Sequence, residues 1–292
     1  MKKELKGIIG LIVATSIYGL FPVIVRLAGL SMPFFFQNTT RLFIAFFIFL
    51  VGVLVFKTWK KVKKGDYKWF VLRAVSVFLA FSLFTFSLNF IPIGTMLLSF
   101  YAGSTVSGYV IGALFFKEYF TSKKVVSLVL AIVGLLMIYS FDIQPEKAFY
   151  IATAFVSGSF TAIWNIFSKK VVDTYHTFQL NLIDNILAGI LAATVSLVLK
   201  EQWIVPSFSF IWAMNLLFGL GIAATGVLVV YGFARLEAQI GSLIMLTEVL
   251  FAIIFGYVFF RETITLTTLI GGGIIIAAIV LPELRLLRRK RQ

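Results

Sequence analysis

Three ionisable side chains, Arg41, Asp184 and Glu248, stand inside long apolar runs of this 292-residue chain. A charge at the centre of a membrane helix costs about 2.5–3.5 kcal/mol on insertion scales, so each needs a partner, a proton or a ligand. With a helical rise of about 1.5 Å per residue, Arg41 lies about 10 Å inside one end of its run and Asp184 about 10 Å inside the opposite end of another. Glu248 is about 16 Å deep, at the midplane. The difference in depth between Arg41 and Glu248 is within an arginine's reach. Two readings stand open for them: a structural ion pair, or a site for substrate or protons. Asp184, flanked by Asn181 and Asn185, reads as a solvated or locally hydrogen-bonded carboxylate. Arg26 and Arg73 lie near enough to the ends of their runs to snorkel to the interface.

Other side chains suggest the walls of a site. Tyr18 and Trp164 occupy the middles of the first and sixth apolar runs and suit a cation or a planar ligand. Tyr101, Ser104 and Ser107 add a polar wall on the fourth run. Glu118 and Glu262, each beside a basic residue at the end of a run, read as local pairs or caps. Catalytic sets are missing. No Gly-x-x-x-x-Gly-Lys loop occurs, so no ATP motor is encoded. The single histidine, His176, and the absence of cysteine leave no zinc cluster and no Ser-His-Asp set. A paired-aspartate hydrolase would need a second intramembrane aspartate beside Asp184. The expectation is therefore a protein that is no enzyme and uses no cofactor or metal.

Membrane helices must hold these residues. The chain is 60% hydrophobic and 13% charged, with mean hydropathy +1.02, which leaves too little polar surface for a soluble particle. Apolar runs at 7–28, 34–56, 69–90, 94–116, 125–141, 148–168, 177–199, 208–232, 239–260 and 266–282 predict an all-α integral membrane protein of ten transmembrane helices. Continuous runs without period-two alternation argue against a barrel. With the N-terminus in the cytoplasm, 20 of the 26 Lys and Arg fall on the inner side, including the tail 283–292. The positive-inside rule then places both termini in the cytoplasm of a multi-pass cell-membrane protein. The net charge of +14 is largely a topology signal facing anionic lipid, and nucleic acid is not expected as a partner.

A shift of 144 residues lays Phe115-Phe116-Lys117-Glu118 on Phe259-Phe260-Arg261-Glu262 and Thr121 on Thr265. Gly108 and Gly112 fall on Ala252 and Gly256, a small-residue packing face shared by the fourth and ninth spans. The chain thus divides into two five-span units, 7–141 and 148–282, followed by the basic tail. Because five is odd, the second unit enters from the opposite side, so the repeats are inverted, a construction used by secondary transporters.

These features carry a resemblance to the drug/metabolite transporter superfamily, in particular its EamA-type ten-helix members. The matching residues are Ile17-Tyr18-Gly19, where the family often has Trp-Gly, Arg41-Leu-Phe-Ile-Ala45, and the Glu118 and Glu262 junctions. Thr105 and Val249 stand where members often carry a proline. The resemblance implies a secondary active transporter of a small polar or amphipathic metabolite, such as an amino acid, with export a common direction, working by alternating access around a central cavity. Uptake or exchange of an organic cation is the alternative if Tyr18, Trp164 and Glu248 converge. A lipid-handling protein with Arg41 on a head-group phosphate is a third reading. Partners are then a small-molecule substrate, membrane lipids and, with coupling, protons. Both a monomer and a homodimer fit. The charge bias makes one outcome testable: a cysteine placed between Lys60 and Lys64 should not react with an impermeant reagent added outside intact cells, and labelling there would reverse the topology.

Overall fold

Hydrocarbon offers the backbone no hydrogen bonds, so long apolar runs cross it as helices that satisfy their own polar groups. The computed structural model describes residues 2–28, 32–139 and 145–282, and all regular structure among them is helical. The tail at 283–292 lies outside the described residues. The first span is α1 (Lys2–Tyr18) with α2 (Phe21–Ala28), followed by α3 (Phe34–Val55), α4 (Tyr67–Leu88), α5 (Ile93–Phe116) and α6 (Ser122–Ile138). The second half holds α7 (Ala148–Phe167), α8 (Thr177–Val198), α9 (Phe210–Phe233), α10 (Ala238–Met245) with α11 (Thr247–Phe260), and α12 (Leu266–Val280). Eight of these spans are long and apolar enough to cross a membrane, with Lys3–Leu27 and Ala238–Phe260 each counted as one. The shorter α6 and α12 pack against each other.

The repeat is visible in the helix ends. Thr121 and Thr265 cap α6 and α12 by accepting from the amides of Lys124 and Thr268. Lys117 and Arg261, just before them, both take the left-handed conformation, with φ of 56° at each. Packing follows the same rule. α1 and α2 lie on α9 as α7 lies on α4, α3 lies on α9 as α8 lies on α4, and α10 and α11 lie on α1 as α5 lies on α7. One core joins both halves through Leu11, Ile111, Ile166, Phe233 and Ile244.

Two spans that read as continuous are interrupted. In the first, the Leu20 amide bonds back to Ile17 O at 3.0 Å, and Pro22 has no amide to offer the Tyr18 carbonyl, so α1 stops and α2 restarts. In the ninth, Leu246 and Val249 each bond three residues back at 3.0 Å, and the Thr247 hydroxyl donates to Ile244 O at 2.8 Å. A threonine bonding back into its own helix loosens the ladder without a proline. The two breaks face each other, with Thr15 Oγ1 2.6 Å from Thr247 Oγ1. A Cβ on Gly19 would sit 2.7 Å from Phe251 Cβ and 3.0 Å from the Ala252 amide nitrogen, so this close approach requires glycine.

The small residues are used unequally. Gly108 and Gly112 face α10, where an added Cβ would come within 1.9 Å of Ser242 Oγ and 3.0 Å of Gln239 Cγ. Ala252 meets Gly19 at the break between α1 and α2, and Gly256 is covered by the side chain of Glu262, 2.5 Å from such a Cβ. Gly108→Leu should therefore destabilise the protein by about 1–3 kcal/mol, the usual cost of overpacking. Gly273→Ala, within α12 where an added Cβ meets nothing within 4 Å, should keep or slightly raise the melting temperature. Equal melting temperatures for the two variants would remove the α5–α10 contact from the packing account.

Candidate functional site

Asp184 on α8 is fully buried and ion-paired with Arg73 of α4, Nη2 to Oδ2 at 2.5 Å, with both side chains at 0% exposure. The same Oδ2 accepts from Trp164 Nε1 at 3.0 Å, and Arg73 Nη1 donates to the Trp164 carbonyl at 2.6 Å. This overturns two expectations. Arg73 does not snorkel, because a carboxylate awaits it in the core, and Asp184 is not solvated. Trp164 also leaves the proposed aromatic wall, since its indole N–H is committed to Asp184 and its ring packs with Leu42, Val77 and Ala188.

Arg41 is likewise buried, at 5% exposure, yet it finds no carboxylate among the described residues. Its Nε donates to Asn215 Oδ1 of α9 at 2.8 Å, and its guanidinium lies 3.9 Å above the centre of the Phe218 ring. Asn215 in turn donates to Thr40 Oγ1. The ion pair with Glu248 envisaged from depth alone is absent, because the two side chains are bound to different neighbours.

Glu248 sits in the first turn of α11, at the break in the ninth span, where the helix N-terminus favours a negative group. Its Oε1 accepts from Tyr101 Oη of α5 at 3.0 Å. Tyr18 and Tyr139 also stand within its electrostatic reach. The rings of Tyr101 and Tyr139 are stacked 6.4 Å apart, and the Tyr18 hydroxyl is set beside Thr225 of α9. No basic group among the described residues pairs with Glu248. One tyrosine thus bonds this carboxylate and two more stand within its electrostatic reach, from spans 4, 1 and 5. Tyr139 was missed in the sequence because it lies two residues from the end of its run, where a tyrosine looks like interfacial belt. Ser104 is not among these neighbours. It lies half-buried where α5 packs on α7, its backbone close to Gly158.

A family model described as "EamA-like transporter family" matches residues 5–140 and again 148–282. The chain belongs to the EamA-like transporter family. It is an integral, multi-pass membrane protein of two-repeat architecture. An "Uncharacterized transporter" of Archaeoglobus fulgidus is 29% identical over 169 residues, 54% of this chain and 56% of that protein, so the chain spans about half the length of this relative. A solved protein structure shares the fold, with TM-score 0.82 over 94% of this chain and 97% of the other at 13% identity.

In this member of the EamA-like family the two equivalent glutamates do different things. Glu118 reaches into the other half and accepts from the Ala238 and Gln239 amides at 2.5 and 3.0 Å, capping α10, with Lys169 at 3.6 Å. Glu262 instead pairs with Arg26, which also lies 4.1 Å from the Phe260 ring. His176 caps α8 through Nδ1, a structural role. A cleft of roughly 490 Å³ opens at the Glu118 end, lined by Glu4, Lys123, Lys124, Arg235 and Glu237, and does not reach Glu248. No group of residues suited to a metal ion occurs among the described residues. The Arg73–Asp184 geometry predicts that Asp184→Asn, which strands a buried guanidinium, should cost about 3–5 kcal/mol. Arg73→Met with Asp184→Leu should recover much of that loss, measured as melting temperature. A single variant as stable as the wild type would contradict the pairing.

Proposed function

We propose that this chain is a secondary transporter of the cell membrane that carries a small polar or amphipathic metabolite bearing a basic nitrogen, an amino acid or a related compound, by alternating access at Glu248. One observation carries the reading: a carboxylate with no basic partner among the described residues, bonded by Tyr101 and within electrostatic reach of Tyr18 and Tyr139, at the junction of two broken helices from opposite halves. Tyrosine faces and a carboxylate together suit an ammonium group. Broken helices near the midplane are where transporters of inverted-repeat construction hold their cargo. The carboxyl group can also take up a proton when the site is empty.

The odd span count supports inversion of the second unit, and the inequality of Glu118 and Glu262 supports alternating access. One end of the contact between spans 4 and 9 is latched by Glu118 across the two halves, whereas its counterpart at the other end binds Arg26. With both termini in the cytoplasm, as the charge distribution favours, the latched end is the cytoplasmic one. In the opposite state the roles exchange.

Glu248→Gln preserves size and one acceptor while removing the charge. A hydrogen bond to a charged group is worth about 1.5–3 kcal/mol, so both gradient-driven uptake and exchange of an amine substrate by reconstituted protein should fall about tenfold or more. The melting temperature should hold, and Tyr101→Phe should lose less. Exchange that survives while gradient-driven accumulation vanishes would assign Glu248 to proton coupling instead of substrate. Wild-type transport in both assays would sink the site.

A further inference from the structure

The internal repeat supplies a comparison for Arg41 within the same chain. The contact of α8 with α4 is the counterpart of the contact of α3 with α9, and each contains a buried arginine. Under the 144-residue shift Asp184 corresponds to Thr40, the neighbour of Arg41. In the α8–α4 contact the guanidinium of Arg73 meets the Asp184 carboxylate. In the α3–α9 contact the guanidinium of Arg41 meets only Asn215 and the Phe218 face, and Thr40 stands where the acid would be. Arg41 Nη1 and Nη2 bond to no described residue. One contact between the two units thus carries a neutral pair, and its counterpart carries a buried arginine with no anion among the described residues, on α3 where the shift places Asn185 in α8.

Hydrocarbon makes such a vacancy expensive, and a guanidinium fork fits a carboxylate through two parallel hydrogen bonds. A row of rings leads from this fork toward Glu248. Phe218 lies 3.9 Å from the guanidinium, Phe21 stacks on Phe218 at 4.0 Å, and Tyr18 meets Phe21 edge-on at 5.2 Å. Resting on the transport reading given above, we propose that Arg41 receives the carboxylate of the transported solute, in an anion subsite completed by Asn215 and Phe218. A solute with a carboxylate and a basic nitrogen separated by an apolar body would satisfy Arg41 and Glu248 together, each end supplying the charge the protein leaves out.

The test restores the missing acid. Asn215→Asp and Thr40→Asp each give Arg41 an internal carboxylate, as Arg73 has in Asp184, so either variant should keep or raise the melting temperature. The proteins are placed in nanodiscs of zwitterionic lipid and titrated calorimetrically with 3-phenylpropionate, its neutral amide and phenethylamine. The wild type should bind the carboxylate about tenfold or more tightly than the amide, and the variants should lose that advantage. Phenethylamine, which has no carboxylate, should be affected far less. Two folded variants with wild-type affinity for 3-phenylpropionate would overturn the subsite. So would loss of that affinity in wild-type protein on adding phosphatidylglycerol, because Arg41 would then belong to a lipid head group. Failure of phenethylamine to bind the wild type would strike the Glu248 reading instead, leaving the two ideas separable.

Discussion

Hydrocarbon gives a charge nothing to bind, so any ionisable group carried into the bilayer has to be answered from within the protein. Arg73 and Asp184 answer each other, and the indole of Trp164 completes the arrangement. That cluster ties α4, α7 and α8 together, and such a pair adds more to specificity of packing than to net stability. Arg41 and Glu248 are answered by neutral groups alone: an amide and a ring for one, a phenol for the other. The four groups sum to no net charge, but only two of them are in contact. The separation of the other two is the feature around which the transport reading is built.

The same exclusion of water governs the backbone. A helix can stop within the membrane only where other protein covers its ends. Here the interruption in the first span lies against the interruption in the ninth, with Thr15 and Thr247 hydrogen-bonded across the junction. Gly19 lets the strands of backbone approach closely enough for this to happen. The sixth and fourth spans, their counterparts in the repeat, are continuous as α7 and α5. The duplicated units therefore share a plan while holding different shapes, and the departure from symmetry is concentrated beside Glu248.

Much of the plan was legible in the residues. Ten apolar runs, the Glu118 and Glu262 junctions and the shared threonine caps follow from composition and a gapless shift, because hydrophobic length and cap chemistry are local properties. Depth along a helix was also readable, and it singled out Arg41, Asp184 and Glu248. Partners were not, since depth says nothing about which way a helix is rotated. Arg41 and Glu248 lie close in height but bind different neighbours, and Arg73 lies near a helix end yet turns inward to Asp184. The interruption at Leu246 carries no proline, and a single threonine hydrogen bond is too common a pattern to announce it. Tyr139 escaped notice because a tyrosine at the end of a span is ordinary.

Glu118 holds the opposite half by its main chain, through the amides of Ala238 and Gln239. Each charge-assisted hydrogen bond of this kind contributes about 1.5–3 kcal/mol, and two states that differ by one such bond differ in occupancy by about tenfold or more. A perfectly duplicated chain would have no preference between facing one way and facing the other. On the transport reading proposed above, the difference in what surrounds two copies of the same glutamate, Lys169 beside one and Arg26 beside the other, would give the empty carrier a resting orientation. On that reading, duplication would supply the two faces of such a machine, and drift in a handful of surrounding residues would set which way it waits.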